Sequence, residues 1–202
     1  MQLYHDGLER SGNVYFSHCL GMTLKVELKS VRTHNVLTLK EYKEPYPFII
    51  SLRDALPSIT SSKVFRDYFM QNNLVTNTEK ATSDPDVIIQ RYQEYTDYLL
   101  ANEQFFIAPF HEFTKDHNAV IDKIIKVYPE LEIRTRVSTF EDIFKHANHE
   151  GALVLHPHMG NFPREDVKEK EEVKQMFLEK YSKEIAGIQE TIDKLYLRYD
   201  SI

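Results

Sequence analysis

The sequence predicts an α/β fold in which helices cover both faces of a mainly parallel central sheet, arranged in three layers. Two continuous apolar runs, at residues 47–52 and 104–110, are typical of strands that are buried on both faces. Segments with helical spacing of apolar residues separate the predicted strands, and this alternation favours a layered architecture. One domain is expected over residues 1–202, with a helical C-terminal region from about residue 164.

Each predicted strand is a β-prone or apolar run that ends at turn residues. In chain order the predicted strands lie at residues 2–5, 24–28, 47–52 and 104–110. Residues 30–34 continue as β-prone chain, and the alternating segment 132–137 is compatible with a further strand. Residues 24–28 alternate apolar and polar side chains, which indicates an exposed edge or hairpin strand. Pro109 indicates that the fourth strand ends there or lies near an edge of the sheet. Residues 151–159 are compatible with either a strand or a loop.

Helical periodicity and capping residues locate the predicted helices. They lie at residues 13–22, 36–42 (a short helix or a turn), 54–72, 85–102, 114–125 and 140–146, and from about 164 almost to the end. Asn13 and Asp84 are the expected caps of the first and fourth helices. Thr114 or Asp116 is the expected cap of the fifth. A break in the C-terminal helical region is expected near Gly187.

Composition and charge exclude several classes of partner. The formal net charge of −6 argues against broad nucleic-acid binding. No apolar run approaches the length of a membrane span, and the N-terminus lacks the apolar core of a signal peptide, so no membrane partner is expected. The single cysteine, Cys19, excludes an internal disulfide and fits a reducing compartment. A cytoplasmic location is therefore expected.

Polar residues follow four of the predicted strands. These groups are the loop Glu9-Arg10-Ser11-Gly12-Asn13, then Arg32-Thr33-His34, Arg53-Asp54 and His111-Glu112. Because ligands of parallel sheets bind outside the carboxyl ends of the strands, the four groups are expected to meet at one edge.

The loop after the first strand has the composition of an anion site. A strand, a small-residue loop and a helix present backbone N–H groups and a helix N-terminus to a phosphate. The loop is not a Walker A sequence, because its glycine spacing differs and no Gly-Lys-Ser/Thr is present.

In their order and spacing, these motifs resemble those of the sulfotransferases that use 3′-phosphoadenosine 5′-phosphosulfate (PAPS), a branch of the P-loop α/β fold. The segment Leu8-Glu9-Arg10-Ser11-Gly12-Asn13-Val14 is similar to the 5′-phosphosulfate loop of that family. Arg32-Thr33-His34 resembles the Lys-Thr-His stretch that holds the catalytic base in the cytosolic enzymes. Arg53 and Ser61, eight residues apart, match the 3′-phosphate signature. Phe110-His111-Glu112-Phe113-Thr114 resembles a Tyr-Glu-Asp-Leu stretch that flanks the nucleotide.

The resemblance implies a short, divergent microbial or viral member that transfers a sulfuryl group from PAPS to a hydroxyl or amine. It also implies a small molecule or a glycan as the acceptor, adenosine 3′,5′-bisphosphate (PAP) as the product, and no metal. It implies that His34 is the catalytic base and that Arg10 neutralises charge on the bridging oxygen. The residues that it places at the donor nucleotide are Arg10, Ser11, Gly12, Asn13, Val14, Arg53, Ser61 and Arg164.

Departures from the family pattern leave two other functions open. Asn13 and Val14 stand where the family has Thr-Thr, and its Arg-Lys-Gly segment is absent, with Arg164 as the candidate substitute. A nucleotide or nucleoside kinase-like phosphotransferase is one alternative, although the Walker lysine is missing. A non-catalytic nucleotide-binding or assembly protein on the same fold is the other, and the departures favour it. His156 and His158 lack a third ligand at a known metal spacing.

Overall fold

The computed structural model describes residues 1–8, 11–31, 35–71, 83–137 and 168–202. Within them, one four-stranded sheet has the order β2-β1-β3-β4, and every neighbouring pair is parallel. The strands are β1 (Gln2–Gly7), β2 (Glu27–Ser30), β3 (Phe48–Leu52) and β4 (Phe106–Pro109). The predicted α/β fold with a parallel central sheet is confirmed.

Seven helices are described around this sheet. They are α1 (Asn13–Thr23), α2 (Val36–Glu41), α3 (Ala55–Gln71), α4 (Pro85–Ala101), α5 (Phe110–Val127), α6 (Lys168–Lys180) and α7 (Ser182–Asp200). No helix in the described ranges is both long enough and apolar enough to cross a membrane. The predicted helix at 140–146 and the ambiguous segment 151–159 lie outside the described residues.

The sheet is covered on both faces, which gives the three layers that were predicted. Helices α1 and α5 pack on one face, and α3, α4, α6 and α7 pack on the other. Side chains alternate between the faces along each strand: Ile49 of β3 packs with α1 and α5, whereas Phe48 and Ile50 pack with the opposite helices. On the first face, Phe16 of α1 stacks on Phe113 of α5, with ring centroids 4.5 Å apart.

Both strands that the sequence placed at or near an edge of the sheet are edge strands. The strand β2 lies at one edge, as the alternating pattern at 24–28 predicted, but it runs parallel to β1. The hairpin alternative is therefore wrong, because α1 carries the chain back to the start of the sheet. The strand β4 forms the other edge and ends at Pro109, where a missing N–H does not interrupt a ladder.

The segment 132–137 does not form the predicted strand. Only Ile133 makes a β-bridge, an isolated antiparallel one with Leu24. The Lys25 N–H donates to the Glu132 carbonyl at 2.9 Å, which fixes this stretch next to the chain before β2. The alternating pattern therefore reflects a segment with one paired residue rather than a further member of the sheet.

The C-terminal helical region breaks at Tyr181, between α6 and α7, and not near Gly187 as predicted. Gly187 lies inside α7, and a β-carbon there would meet no atom within 4 Å. The Tyr181 N–H still donates to the Phe177 carbonyl at 2.8 Å, and the Ile185 N–H donates to the Tyr181 carbonyl at 3.0 Å. The break is a local bend, for which no glycine is required.

Helix α5 begins earlier than predicted, at Phe110, and bends at Asp116. Asp116 has φ −151° and ψ 90°, and its Oδ1 accepts a hydrogen bond from the Ala119 N–H at 3.1 Å. Asp116 therefore caps the second half of α5, which confirms it as a capping residue. Cys19 of α1 is fully buried in the core.

Candidate anion-binding site

The strand order places a topological switch point between β1 and β3. The chain leaves β1 through α1 on one face of the sheet, and it leaves β3 through α3 on the other. The two connections diverge at the carboxyl ends of adjacent parallel strands, which is where open α/β sheets bind ligands. The loop between β1 and α1 and the segment after β3, which begins with Arg53, therefore lie at this edge.

The loop is held by its own backbone and by the Asn13 side chain. The Ser11 N–H donates to the Leu8 carbonyl at 3.2 Å. Asn13 Nδ2 donates to the carbonyl oxygens of Gly7 at 3.0 Å and Leu8 at 3.1 Å. The expected role of Asn13 as the cap of α1 is wrong, because Gly12 occupies that position without a side-chain cap. Asn13 instead fastens α1 to the end of β1.

Two glycines are required by this geometry. A β-carbon at Gly7 would overlap the Ser51 carbonyl oxygen of β3 and the Asn13 Oδ1. Gly12 has φ 77° and ψ 19°, in the left-handed region that other residues rarely adopt. A β-carbon at Gly12 would also lie 2.8 Å from the Phe110 ring. Glycine at both positions lets the loop backbone lie directly against β3 and α5.

The Phe110 ring joins the loop to Arg53. The guanidinium carbon of Arg53 lies 4.6 Å from the centroid of this ring, which is a cation–π contact, and the Gly12 backbone packs against the same ring. Burial lowers the pKa of the Arg53 guanidinium, while Tyr92 and Asp54 act in the opposite direction. The predicted meeting of the loop and Arg53 at one edge is therefore confirmed, and the cation is partly shielded from water.

A row of three hydroxyl groups extends from the loop to the helices on the opposite face of the sheet from α1. Ser11 Oγ lies 3.5 Å from Ser58 Oγ, which in turn lies 2.9 Å from the Tyr92 hydroxyl. The exposed fractions of the three residues are 0%, 0% and 3%. We call Ser11, Ser58 and Tyr92 the hydroxyl row. It connects the loop to α3 and α4.

Ser58 lies at this edge of the sheet, whereas the sequence motif indicates Ser61. Ser61 is buried in α3, but it lies three residues, or roughly 4.5 Å along the helix axis, farther from the end of β3 than Ser58. The position of Ser58 in the sequence is a signal for this placement. The first turn of a helix that follows a strand lies closest to the sheet edge. The sequence indicates Tyr92 only as part of the apolar face of α4.

A buried histidine connects the elements on either side of the loop. His5 of β1 is fully buried, and its Nδ1 and Nε2 lie 2.7 Å from the hydroxyl oxygens of Ser17 and Ser51 respectively. Because Ser17 belongs to α1 and Ser51 to β3, His5 ties together the three elements that surround the loop. A neutral imidazole has one donor and one acceptor, and both hydroxyls can adapt to it. His5 belongs to none of the sequence motifs.

Several of the other predicted site residues lie outside the described part of the chain. Arg10, His34, Arg164 and the pair His156 and His158 lie outside the described residues. Val14 lies in the first turn of α1. His111 has a 54% exposed side chain, its Nε2 lies 3.6 Å from Glu112 Oε1, and its ring lies edge-on to Tyr196 with centroids 5.0 Å apart. No group of three potential metal ligands occurs among the residues that the structure describes.

Comparisons with known proteins do not assign a family. No protein-family model matches the sequence, and neither the curated proteins nor the solved structures include a match. The chemistry of the sheet edge is therefore the basis for a functional proposal.

Proposed function

We propose that this protein binds a nucleotide with separate 5′ and 3′ anionic groups at the carboxyl ends of β1 and β3. We further propose that it transfers a sulfuryl group from PAPS to a hydroxyl or amine acceptor. The observation that supports the proposal is the shared contact of Gly12 and Arg53 with the Phe110 ring. This contact gathers residues from the ends of three parallel strands around one edge.

The two anionic groups have different partners in this proposal. The first N–H groups of a helix have no partner within the helix, so the start of α1 suits a 5′-phosphosulfate. Arg53 suits the 3′-phosphate, because a guanidinium forms two parallel hydrogen bonds with phosphate oxygens. Partial burial of Arg53 strengthens such a pair, since the effective dielectric constant is lower than in water.

The transfer step needs charge stabilisation and a proton acceptor. The bond between sulfur and the bridging oxygen of the 5′-phosphate breaks, and a new bond forms between sulfur and the acceptor oxygen or nitrogen. In the proposal, His34 takes the acceptor proton, and Arg10 neutralises the charge that develops on the departing PAP. Positioning and electrostatic stabilisation supply most of the catalysis in group transfers of this kind.

Isothermal titration calorimetry with PAP, 5′-AMP and ATP tests the nucleotide class. PAP is expected to bind at least about tenfold more tightly than 5′-AMP or ATP, because an added hydrogen-bonded charge contributes about 1.5–3 kcal/mol. Equal affinity for the three nucleotides would contradict the proposal. Magnesium-dependent ATP turnover that disappears in Arg10→Ala would instead indicate a phosphotransferase.

A non-catalytic nucleotide-binding protein is the second candidate, and one observation favours it. The Asn13 side-chain amide is engaged by the Gly7 and Leu8 carbonyls, at the position where the resembled family has a hydroxyl on the ligand. The two candidates differ in transfer from PAPS to a panel of phenols, amines and sugars. Loss of transfer in Arg10→Ala and His34→Ala supports the enzyme, whereas PAP binding with transfer unaffected by either change supports the binding protein.

A further inference from the structure

The C-terminal helix α7 holds the backbone on both sides of Arg53. On one side, the Tyr196 hydroxyl donates to the Leu52 carbonyl oxygen at 3.3 Å. On the other side, the Ala55 N–H donates to Gln189 Oε1 at 2.8 Å. Leu52 and Ala55 are both fully buried, so water does not replace these partners. Helix α7 therefore fixes the short segment that leaves β3 and carries Arg53.

Neighbouring carboxylates set the orientation of the Gln189 amide. Its Nε2 donates to Asp193 Oδ1 at 2.8 Å and lies 3.5 Å from Asp54 Oδ1. Because an ionised carboxylate only accepts hydrogen bonds, the amide nitrogen faces the two carboxylates, and the amide oxygen faces the Ala55 N–H. Gln189 therefore provides an acceptor for the first N–H of α3, directly after the segment that carries Arg53.

Tyr196 contacts the surroundings of both partners in the cation–π pair. The Tyr196 ring lies edge-on to His111, the residue after Phe110, with ring centroids 5.0 Å apart. Burial raises the pKa of the Tyr196 hydroxyl, the Asp54 carboxylate raises it further, and Arg53 acts in the opposite direction. The hydroxyl therefore stays protonated at neutral pH and remains a donor. One side chain of α7 thus stabilises the chain beside Arg53 and beside Phe110.

We propose that Gln189 and Tyr196 are positioning residues that hold Arg53 in place for the 3′-phosphate of the nucleotide. This inference rests on the proposed function, since it assigns two residues of α7 to the same site. An arginine side chain loses rotamer freedom when it binds an anion. A backbone that is fixed on both sides of Arg53 leaves fewer conformations to lose, so the free-energy cost of binding is smaller.

Gln189→Leu and Tyr196→Phe are each expected to weaken PAP binding roughly threefold to fivefold, because Arg53 is then no longer preorganised. Affinity for 5′-AMP, which lacks the 3′-phosphate, is expected to remain that of the wild type. In the Arg53→Met background, neither substitution is expected to weaken PAP binding further, since the side chain that they position is gone. Isothermal titration calorimetry on the single and double variants measures these values.

Two residues farther along the same helical region provide matched controls. Gln175 of α6 donates from its Nε2 to Glu179 Oε1 at 3.0 Å. Tyr181 lies at the bend between α6 and α7, where Asp86 of α4 raises the pKa of its hydroxyl to about 12. Because these partners belong to α6 and α4, Gln175→Leu and Tyr181→Phe are expected to leave PAP affinity unchanged. Losses in these controls equal to those in Gln189→Leu and Tyr196→Phe would overturn the inference.

The Arg53 Nε–H resonance separates this inference from the proposed function. In a proton–nitrogen correlation spectrum without ligand, the ring current of Phe110 is expected to shift this resonance away from that of a free arginine side chain, and its loss in Arg53→Met identifies it. Movement toward the free position in Gln189→Leu and Tyr196→Phe, without a preference of the wild type for PAP, would support the positioning role and refute the nucleotide function.

The opposite combination refutes the inference alone. If the wild type prefers PAP, but both variants retain its Arg53 resonance or its PAP affinity, the positioning role is overturned and the function stands. If the wild type shows no preference for PAP and the resonance does not move in either variant, both are overturned.

Discussion

Gly7→Ala is expected to lower the free energy of unfolding by about 3 kcal/mol or more, the range of the severest overpacking substitutions. The added methyl group would overlap the Ser51 carbonyl oxygen and the Asn13 Oδ1. The first obstacle is backbone of the central strand β3, which pairs with β1 at this point and cannot rotate away as a side chain does. The strand pair and the Asn13 hydrogen bonds that hold the loop are both expected to be lost.

Gly187→Ala is the control for this prediction. A β-carbon at Gly187 would meet no atom within 4 Å, and the residue lies inside α7, so alanine is expected to raise stability by about 0.5–1 kcal/mol. Urea unfolding monitored by circular dichroism and tyrosine fluorescence measures both variants, and the absence of tryptophan leaves the tyrosine signal unobscured. A Gly7→Ala variant as stable as the wild type would contradict the described contact between β1 and β3.

Arg53→Met is expected to weaken PAP binding by roughly 10- to 100-fold, because it removes a charged hydrogen-bonding partner of about 1.5–3 kcal/mol. Methionine retains an apolar side chain against the Phe110 ring. The charge that is removed is one that burial disfavours, since burial lowers the pKa of Arg53. Stability without ligand is therefore expected to change by less than about 1 kcal/mol, the usual contribution of a partly exposed cation–π contact. Arg53→Lys, which keeps the charge but not the planar fork, is expected to bind PAP with intermediate affinity.

Arg136→Met is the matched control for charge. Arg136 forms an ion pair with Asp122, and its side chain is 40% exposed, so the substitution changes net charge by the same amount at a different place. PAP affinity is expected to remain close to that of the wild type in this variant. Equal losses in Arg53→Met and Arg136→Met would show that only overall charge matters, and would contradict a specific role for Arg53.

Features encoded by local signals were predictable from the sequence. The strand β3 follows from a continuous apolar run that only a doubly covered strand requires. The start of α4 follows from Asp84, whose side chain accepts a hydrogen bond from the Asp86 N–H at 3.0 Å, and from Pro85 in the first turn. The presence of the loop and Arg53 at one edge follows from the parallel sheet, because successive strand ends then lie side by side.

Features that depend on packing between distant segments were not predictable. The contact between Ser58 and Tyr92 joins residues 34 positions apart. It depends on how closely α3 packs against α4, which no local sequence pattern encodes. Asn13 has the position of a helix cap in the sequence. In the structure the loop lies close to the end of β1, so the Asn13 side chain donates to the Gly7 and Leu8 carbonyl oxygens instead. The bend at Tyr181 keeps helical hydrogen bonds on both sides, so it leaves no glycine or proline as a signal.

A crystal structure of the protein with PAP is the decisive test of nucleotide binding at the carboxyl ends of β1 and β3. We expect the 5′-phosphate at the backbone N–H groups of residues 11–14 and the 3′-phosphate on the Arg53 guanidinium. Both phosphates would then lie at the carboxyl ends of β1 and β3, beside the Phe110 ring. A nucleotide bound away from this edge, or bound here without contact to either the loop or Arg53, would contradict it.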